Sequence, residues 1–251
     1  MVIPAQNEEG SAGATVESLV TTLEGAEIDY EVVVVNDDSD DRTEAVIAAI
    51  GAENPRVRVH KSHYERGFGN AIRAGLDVFE GDAVAIFMAD GSDDPRDLIA
   101  MVRVLEEGWD CAFGSRFMPG GALYDYPRLK YIFNRAANTF IRMLFRHRYN
   151  DTTNAFKAYR REVIETCQPL LSKHFNLTVE LPLKAVVRGH NFAVVPNSWT
   201  NRTSGEAKLK VQEMGSRYLF IVLYVWLEKV LSRGDYQVRE PRTGLTQVGR
   251  R

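Results

Sequence analysis

Ala83–Pro95, with the sequence AVAIFMADGSDDP, is the stretch that decides the fold. Its first six residues, up to Met88, carry no polar side chain, which is typical of a strand buried on both faces of a sheet. Three acidic residues, Asp90, Asp93 and Asp94, then occur within five positions. The stretch therefore predicts a central strand whose carboxyl end carries a cluster of carboxylates.

Two interpretations of these carboxylates are open. An Asp is favoured as the N-cap of a helix, and Pro95 is well suited to the first helical position. A cap needs one Asp, however, and the cluster holds three. Acidic oxygens at the carboxyl end of a buried strand also lie where an open α/β sheet holds its ligand. They are the ligands of hard cations such as Mg²⁺, which also bind phosphates, and we favour this second interpretation.

Apolar runs and amphipathic segments alternate along the first half of the chain. Strands are predicted at residues 1–4, 30–35, 57–60, 83–88 and 110–115, with helices at 11–24, 43–50, 70–79 and 95–107. This alternation predicts an α/β fold with a mainly parallel sheet and helices on both faces. With 251 residues, the chain is long enough for one sizeable core of this kind.

Charged residues follow three of the predicted strands. Acids from Asp37 to Asp41 follow the second strand, the Asp90 cluster follows the fourth, and Ser115-Arg116 follows the fifth. In a parallel sheet these strand ends lie along one edge. We therefore expect a metal-bound ligand that carries phosphate at this edge.

The glycine-containing segment Glu65–Asn70 precedes a predicted helix. Its G-x-G spacing resembles a loop that binds phosphate, but the third glycine of the dinucleotide fingerprint is missing. A tight turn into the helix is an equally good interpretation.

The second half of the chain begins with a helix predicted at residues 128–146. Its apolar residues are expected to face inward, and its basic residues are expected either to be solvated or to meet phosphates. The apolar set is Leu129, Ile132, Phe133, Ala136 and Phe140, and the basic set is Arg128, Lys130, Arg135, Arg142 and Arg146. Farther on, Glu180 stands among apolar residues and is either a core acid with its own partners or a site residue.

The last predicted helix, at residues 214–231, contains the uncharged run Tyr218–Leu227. This run is about 15 Å long, roughly half of the hydrocarbon core of a bilayer, so it is not expected to span a membrane. Such an apolar helix is expected to be covered by a partner chain, by a membrane face or by another part of the domain. We favour the partner chain or the membrane.

Charge and cysteine content restrict the functional classes. The net charge of −3 gives no general case for binding nucleic acid. The two cysteines, Cys111 and Cys167, lack C-x-x-C spacing, which favours a reducing, cytoplasmic setting.

Six motifs resemble, in order along the chain, the signatures of the inverting family-2 glycosyltransferases, and within them the dolichyl- or polyprenyl-phosphate mannosyltransferases. The motifs are VIPAQNEE (Val2–Glu9), VVNDDSDDRT (Val34–Thr43), FMADGSDDP (Phe87–Pro95), FGSRF (Phe113–Phe117), NDTTNAFKAY (Asn150–Tyr159) and NRTSGEAKL (Asn201–Leu209). The resemblance implies a GT-A fold, a GDP- or UDP-sugar donor, Mg²⁺ or Mn²⁺ as cofactor, and a polyprenyl-phosphate acceptor at the cytoplasmic membrane face.

The resemblance also implies an organisation of the chain. Residues 1–118 would form the half that binds the nucleotide sugar, and residues 119–212 the acceptor-side half of the same domain. Beyond the motifs, the residues themselves predict a helix that contacts a membrane or partner at 213–233 and a polar tail at 234–251.

The resemblance assigns roles to individual residues. The donor would be bound by Pro4, Ala5, Gln6, Glu8, Asp37, Asp38, Lys130 and Lys208, with Lys130 also able to orient a lipid phosphate. The catalytic set would be Asp90, Asp93, Arg116, Asp151 and Arg202, with Asp90 as metal ligand. Arg116 would meet the sugar or the acceptor phosphate, and Arg202 and Lys208 would close on the diphosphate.

The chain departs from the family pattern at the metal motif. Met88 stands at the first acid of the D-x-D motif and cannot ligate a hard cation. Metal binding must then depend on Asp90, on Asp93 and on the diphosphate itself. Asn36 and Asn154-Ala155 are further departures.

Three other functions remain open. Transfer to a sugar hydroxyl would need a carboxylate base, for which Asp93, Asp94 and Asp151 are candidates. The loss of an acid at Met88 is compatible with a non-catalytic protein that binds nucleotide sugars. Nucleotidyl transfer is disfavoured because the loop at residues 5–10 contains two acids and lacks lysine.

Overall fold

A computed structural model describes residues 1–201 and 211–238, with the side chains of the last helix described from residue 215 onward. The strands in this part of the chain are β1 (Val2–Ala5), β2 (Val32–Asn36), β3 (Val57–Lys61), β4 (Ala83–Ile86), β5 (Cys111–Ser115), β6 (Ala122–Tyr124), β7 (Lys157–Arg160), β8 (Phe192–Pro196) and β9 (Ser198–Thr200). The helices are α1 (Ala12–Gly25), α2 (Thr43–Glu53), α3 (Phe68–Val78), α4 (Pro95–Glu106), α5 (Arg128–Phe145), α6 (Arg161–Thr166), α7 (Leu177–Val187) and α8 (Val211–Leu231).

A seven-stranded sheet forms the centre of the molecule, in the order β3-β2-β1-β4-β7-β5-β8. Strand β7 is antiparallel to its neighbours β4 and β5, and the other neighbouring pairs are parallel. Strands β6 and β9 form a separate parallel pair. The prediction of a mainly parallel α/β sheet is confirmed, but strand β7 was not predicted because it is short and carries Lys157 and Arg160.

Helices cover both faces of the sheet. In β2, Val33 and Val35 pack in the cluster formed with α3, α6 and α7, whereas Val32 and Val34 pack in the cluster formed with α1, α2 and α4. Every residue of β2 is buried. The four consecutive valines are thus explained by burial on both faces, as the sequence predicts.

Strand β4 is shorter than predicted. It ends at Ile86 and not at Met88, and Ala83 at its beginning is exposed. The carboxyl end of the strand therefore lies two residues earlier, and Phe87 and Ala89 remain buried in the loop that leads to Asp90.

The inward face predicted for α5 is wrong. Leu129, Ile132, Phe133, Ala136 and Phe140 are all exposed, the four large side chains to between 40% and 66%. The buried side of α5 instead carries Asn138, Ile141 and Phe145. Asn138 donates to Thr153 Oγ1 at 3.0 Å, and Ile141 and Phe145 pack in an apolar cluster with α7 and α8, so a side-chain hydrogen bond and a short apolar side together orient the helix.

Helix α8 packs with one side on α5 and α7. Ile221, Val222 and Val225 are buried there against Val179 and Leu183. The opposite side of α8 exposes large apolar side chains: Leu219, Phe220, Leu223, Leu227, Val230 and Leu231. A search of the described residues found no helix with the length and hydropathy needed to cross a bilayer.

Glu180 is a core acid with its own partners. It is fully buried in α7, forms an ion pair with Lys184 at 2.8 Å, and accepts hydrogen bonds from the N–H groups of Leu171 and Ser172 at 2.8 and 2.7 Å. These bonds fix the segment that precedes α7. Of the two interpretations, a core acid or a site residue, the structure supports the core acid.

The glycines of the segment Glu65–Asn70 allow close packing. A Cβ atom on Gly69 would lie 2.4 Å from the carbonyl oxygen of Ser172 and 2.8 Å from the backbone nitrogen of His174. The N–H of Gly69 donates to the carbonyl of Lys173 at 3.0 Å. The interpretation as a tight turn into α3 is therefore sufficient to explain Gly69.

We predict that Gly69→Ala lowers the free energy of unfolding by about 2 kcal/mol, because the added methyl group displaces backbone that cannot relax cheaply. Gly25→Ala, also within a helix but with no atom within 4 Å of the new Cβ, should raise it by about 0.5 kcal/mol through helix propensity. Urea denaturation measures both, and equal effects of the two substitutions would contradict the packing argument.

Candidate active site

The end of β2 is joined to the loop before α3 through Asp37. The two carboxylate oxygens of Asp37, a buried residue, accept hydrogen bonds from the N–H of Gly67 at 2.9 and 3.1 Å. Asn36 donates to Glu44 at 2.6 Å and accepts from the N–H of Ser39 at 3.0 Å. The edge of the sheet is thus rigid where the family resemblance puts the base of the nucleotide.

The three acids after β4 have different environments. Asp94 is the N-cap of α4, because it accepts from the N–H of Arg96 at 2.9 Å. Asp90 is half-buried and accepts from the N–H of Ser92 at 3.1 Å. Asp93 is buried and accepts from the N–H of Met88 at 3.3 Å. One acid is thus a helix cap, and two face the loop at the end of the strand.

Asp93 changes protonation near neutral pH. Burial and the negative charge of Asp90 raise the pKa of Asp93 to about 7, although the N–H of Met88 and the guanidinium of Arg116 lower it. Asp93 is thus influenced both by an acid of its own loop and by the cation that follows β5.

Arg116, which follows β5, is held by Asp151. The guanidinium donates from Nε and Nη2 to the two carboxylate oxygens, both at 2.8 Å, and the backbone N–H of Arg116 donates to Oδ2 at 3.0 Å. Both side chains are buried. Because three hydrogen bonds from Arg116 occupy Asp151, its carboxylate is engaged in orienting the cation.

Polar side chains behind Arg116 fix the loop that contains Asp151. Asn154 donates to the carbonyl of Gly114 and to Oδ1 of Asn197, both at 2.9 Å. Asn150 donates to the carbonyl of Phe117 at 3.0 Å. The amides of the segment Asn150–Phe156 therefore form a buried scaffold between the ends of β5 and β8.

Lys157 in β7 is a buried cation that the sequence reasoning missed. Its Nζ donates to the carbonyls of Thr152 at 3.0 Å and Thr178 at 3.3 Å, and also to that of Asn154. Burial lowers the pKa of Lys157 to about 7, opposed by the charge of Asp151. A lysine that directly follows the apolar pair Ala155-Phe156 was the only signal available in the sequence.

Aromatic rings connect Lys130 with Arg116. Lys130 Nζ lies 4.8 Å from the ring centroid of Trp199 and 5.1 Å from that of Tyr126. The guanidinium carbon of Arg116 lies 5.8 Å from the same Tyr126 ring. Tyr126 and Trp199 were not predicted, because Tyr126 stands in an irregular segment and Trp199 in a strand of only three residues, so neither belongs to a periodic pattern.

A cleft of about 470 Å³ opens beside the loop that carries Asp93. It lies between the loop after β4 and the small β6–β9 sheet, and its lining includes Ser92, Asp93, Asp94, Tyr124 and Thr200. The cleft is concave, polar and placed at the carboxyl edge of the sheet, which is where α/β folds bind ligands.

The other predicted residues occupy several positions. Pro4 and Ala5 are buried in β1, whereas Gln6 and Glu8 are half-buried in the loop that follows. Asp38 is exposed and adopts a left-handed conformation with φ of 55°. Arg202 and Lys208 lie outside the described residues.

The acids of the cleft fit a hard divalent cation bound jointly with a diphosphate. Asp90 and Asp93 are neighbouring carboxylates whose mutual repulsion a cation would relieve, and the hydroxyl of Ser92 is buried without a hydrogen-bond partner. Among the described residues no group of three or more His, Cys, Asp or Glu side chains forms a cage for a metal. Two carboxylates completed by phosphate oxygens are a usual Mg²⁺ arrangement.

Comparison with known sequences identifies the family. Residues 1–167 match the family described as Glycosyl transferase family 2. The chain belongs to glycosyl transferase family 2. The match covers the sheet edge, Asp90, Arg116 and Asp151, so the motif resemblance found in the sequence is confirmed.

Three curated relatives cover most of this chain. The polyprenol monophosphomannose synthase of Mycolicibacterium smegmatis is 32% identical over 86% of this chain and 86% of its own length. The glycosyltransferase AglD of Haloferax volcanii is 31% identical over 87% of this chain but only 36% of its own length. The dolichol-phosphate mannosyltransferase of Pyrococcus furiosus is 28% identical over 84% of this chain and 58% of its own length.

Solved structures support the fold. Glucosyl-3-phosphoglycerate synthase from Mycobacterium tuberculosis, in complex with UDP, superposes with a TM-score of 0.67 at 21% identity, covering 91% of this chain and 78% of its own. Another structure of that enzyme contains Mn²⁺, UDP and glucosyl-3-phosphoglycerate, and superposes with a TM-score of 0.66 at 20% identity over 91% of this chain and 78% of its own. The GT-A fold predicted from the resemblance is confirmed.

We predict that Asp93 makes the folded state less stable as the pH rises. Its pKa is raised from 3.8 to about 7 on folding, so the folded protein holds this proton where the unfolded chain has lost it. This contribution is complete below about pH 4 and is lost as the pH approaches 7. The melting temperature of Asp93→Asn should therefore change less with pH than that of the wild type. Both are measured in EDTA between about pH 5 and 8.

The matched control for this prediction is Asp94→Asn. The pKa of Asp94 is lowered by its hydrogen bonds with Arg96, so its contribution is present above the unfolded pKa and is lost only in acid. This variant should keep the wild-type dependence in the same pH range. If the melting temperature of Asp93→Asn varies with pH as steeply as that of the wild type, the prediction is contradicted.

Proposed function

We propose that this family-2 glycosyltransferase moves a hexose, with inversion, from a GDP- or UDP-linked donor to the phosphate of a polyprenyl or dolichyl phosphate. The observation that carries the proposal is the position of Arg116, a cation fixed by Asp151 beside the carboxylates of Asp90 and Asp93. The acceptors in the names of two relatives, polyprenol and dolichol phosphate, support the choice of acceptor.

The donor side of the proposed site runs from the loop after β1 to the end of β4. We assign the nucleoside to Pro4, Ala5, Gln6 and Glu8, and its base to Asp37 with the adjacent Asp38. Asp37 is pre-organised for this role, because its carboxylate is held by the N–H of Gly67. The motif that contains Arg202 and Lys208 is assigned to the diphosphate.

We assign the divalent cation to Asp90, with Asp93 as the second carboxylate. Bound there with the diphosphate, Mg²⁺ or Mn²⁺ would neutralise the charge that develops on the leaving group. The part played by the protein is to hold two carboxylates at one end of β4, where loop geometry and burial keep them close. Met88, at the first acid of the motif, contributes only its N–H, which binds Asp93.

The acceptor side of the proposed site contains the cations. A lipid phosphate is already an anion, so its oxygen can attack the anomeric carbon without a general base. Arg116 and Lys130, which both lie within 6 Å of the centre of the Tyr126 ring, are placed to attract and orient such an anion. Inversion follows when the oxygen approaches from the face opposite the leaving diphosphate.

A sugar hydroxyl is the alternative acceptor, and for that reaction we propose Asp93 as the base. Asp94 caps α4 and Asp151 is occupied by Arg116, whereas the raised pKa of Asp93 suits proton abstraction near neutral pH. A non-catalytic protein that binds nucleotide sugars is the second alternative, favoured only by Met88.

The test is incubation with radiolabelled GDP-mannose or UDP-glucose, Mn²⁺ and a short polyprenyl phosphate, followed by organic extraction. We expect label in the lipid phase, with a rate reduced about a hundredfold in Asp90→Asn because charge stabilisation at the leaving group is lost. Asp29→Asn, an acid whose side chain is 97% exposed, is the control and should keep the wild-type rate.

Each alternative gives a different result in this assay. Label transferred to an added sugar alcohol but never to the lipid would replace the phosphate acceptor by a hydroxyl. Binding of the donor, seen as a rise in melting temperature, without transfer or hydrolysis would indicate the non-catalytic protein.

We further propose that the exposed apolar side of α8 rests on a membrane surface, in the plane of the interface. Leu219, Phe220, Leu223 and Leu227 are 41–63% exposed, and α5, which packs beside α8, exposes Leu129, Ile132 and Phe133. Basic residues accompany these apolar ones on α5. An apolar patch with flanking cations is typical of helices that lie on anionic bilayers.

The double variant Leu223→Glu/Leu227→Glu should bind vesicles of phosphatidylcholine and phosphatidylglycerol more than tenfold more weakly, since burial of each leucine contributes about 2 kcal/mol. Sedimentation with the vesicles measures this. Thr21→Glu places a negative charge on α1, on the opposite face of the sheet, and is the control. If the double variant sediments with the vesicles as the wild type does, the membrane proposal is contradicted, and a partner chain becomes the favoured contact of α8.

A further inference from the structure

A second cavity, of about 530 Å³, lies between the start of α7 and α8. Its lining includes Ser172, Lys173, His174 and Asn176 on one side and Arg217 and Phe220 of α8 on the other. No residue of this cavity belongs to the set assigned to transfer, and its lining shares nothing with that of the cleft over Asp93.

Two polar side chains of this cavity are buried without partners. Ser172 is 2% exposed and Asn176 is 7% exposed, and neither Ser172 Oγ nor Asn176 Oδ1 has a hydrogen-bond partner. Burying such atoms unpaired is unfavourable, so buried polar groups are normally satisfied. Both residues line the cavity, which indicates that a polar ligand completes their hydrogen bonding.

Asn176 is further marked by its position at the N-terminus of α7. An Asn at the N-cap normally accepts from an N–H of the first turn, but Asn176 makes no such bond. The side chain is therefore not used to stabilise the helix. The positive end of the α7 dipole adds a field that favours an anion at this place.

The wall of the cavity is rigid. The N–H of Ser172 donates to Glu180 at 2.7 Å, inside the core. The carbonyl of Lys173 accepts from the N–H groups of Gly69 and Asn70 at 3.0 and 3.2 Å. The hydroxyl of Ser172 is thus held in position by backbone that belongs to two packed helices, as a pre-organised binding site requires.

Three basic residues give the cavity its charge preference. Lys173, His174 and Arg217 all line it. Lys173 also pairs with Glu65 at 2.9 Å, but both side chains are more than half exposed, so this pair is weak and can yield to a ligand. Carboxylates are absent from the lining residues that the structure describes.

We infer that this cavity binds a phosphate group, with Ser172 Oγ and the Asn176 amide as hydrogen-bond partners and Arg217 with Lys173 as cations. Phosphate oxygens suit the hydroxyl donor and the cations, while Asn176 either accepts from the O–H of a protonated phosphate or turns its amide N–H group toward a phosphate oxygen. Phe220, 63% exposed at the rim, offers an apolar contact to a chain attached to that phosphate. The phosphate can come from a lipid headgroup or from a soluble ion.

The experiment uses the ring signals of the five histidines in a proton–carbon correlation spectrum. His174→Gln identifies the signal of His174, which reports locally on the cavity. Inorganic phosphate is added at constant pH and ionic strength, without nucleotide sugar. We expect a saturable shift of the His174 signal, with affinity reduced about tenfold in Ser172→Ala and in Arg217→Gln.

The control is Arg103→Gln, which removes one positive charge from the exposed surface of α4 and should keep the wild-type affinity. The other four histidine signals show that each variant is folded. The inference is overturned if the His174 signal does not move, moves without saturation, or shows the same affinity in Ser172→Ala as in the wild type.

A second titration, with dihexanoyl phosphatidic acid, separates the sources of the phosphate. A lower midpoint than that of inorganic phosphate supports the site and assigns it to a lipid headgroup, and an equal midpoint supports the site and assigns it to a soluble phosphate. Neither titration involves glycosyl transfer. A negative result therefore contradicts the phosphate site alone, and a negative transfer assay contradicts the proposed glycosyltransferase reaction alone.

Discussion

The connection between the end of β5 and the loop before β7 depends on the ion pair between Arg116 and Asp151. The pair is buried and joins the end of β5 to the loop before β7. A buried charge is tolerated only when it is paired and hydrogen-bonded, and removal of one partner leaves the other without compensation. The amides of Asn150 and Asn154, which fix the Asp151 loop, and the Tyr126 ring, which lies against Arg116, therefore act through this one contact.

Much of this arrangement was readable from the sequence, for a physical reason. Parallel strands covered on both faces require continuous apolar runs, and Val32–Val35 and Ala83–Phe87 could have few other structures. Once the strands are parallel, Asp37, Asp90 and Arg116 must lie on one edge of the sheet. The order of motifs then gave the family and the GT-A fold, which the comparisons confirm.

Other features could not be predicted, because they depend on contacts distant in sequence. The orientation of α5 follows from the bond of Asn138 to Thr153 and from the packing of Ile141 and Phe145 against α7 and α8, so counting apolar residues selected the wrong face. The engagement of Asp151 requires Arg116, which is 35 positions away. The raised pKa of Asp93 arises from burial, which no local pattern reveals. The roles assigned to individual site residues remain predictions, including those of Arg202 and Lys208, outside the described residues.

The antiparallel strand β7 has a consequence for how the chain acquires its structure. Because β7 pairs on one side with β4 and on the other with β5, the sheet stays open until residue 160 has emerged from the ribosome. A nascent chain that ends near residue 118 presents β4 with an unpaired edge and β5 without either of its neighbours. Exposed strand edges promote association between chains. Residues 1–118 therefore cannot complete their own sheet, because the strand that joins β4 to β5 comes from residues 157–160.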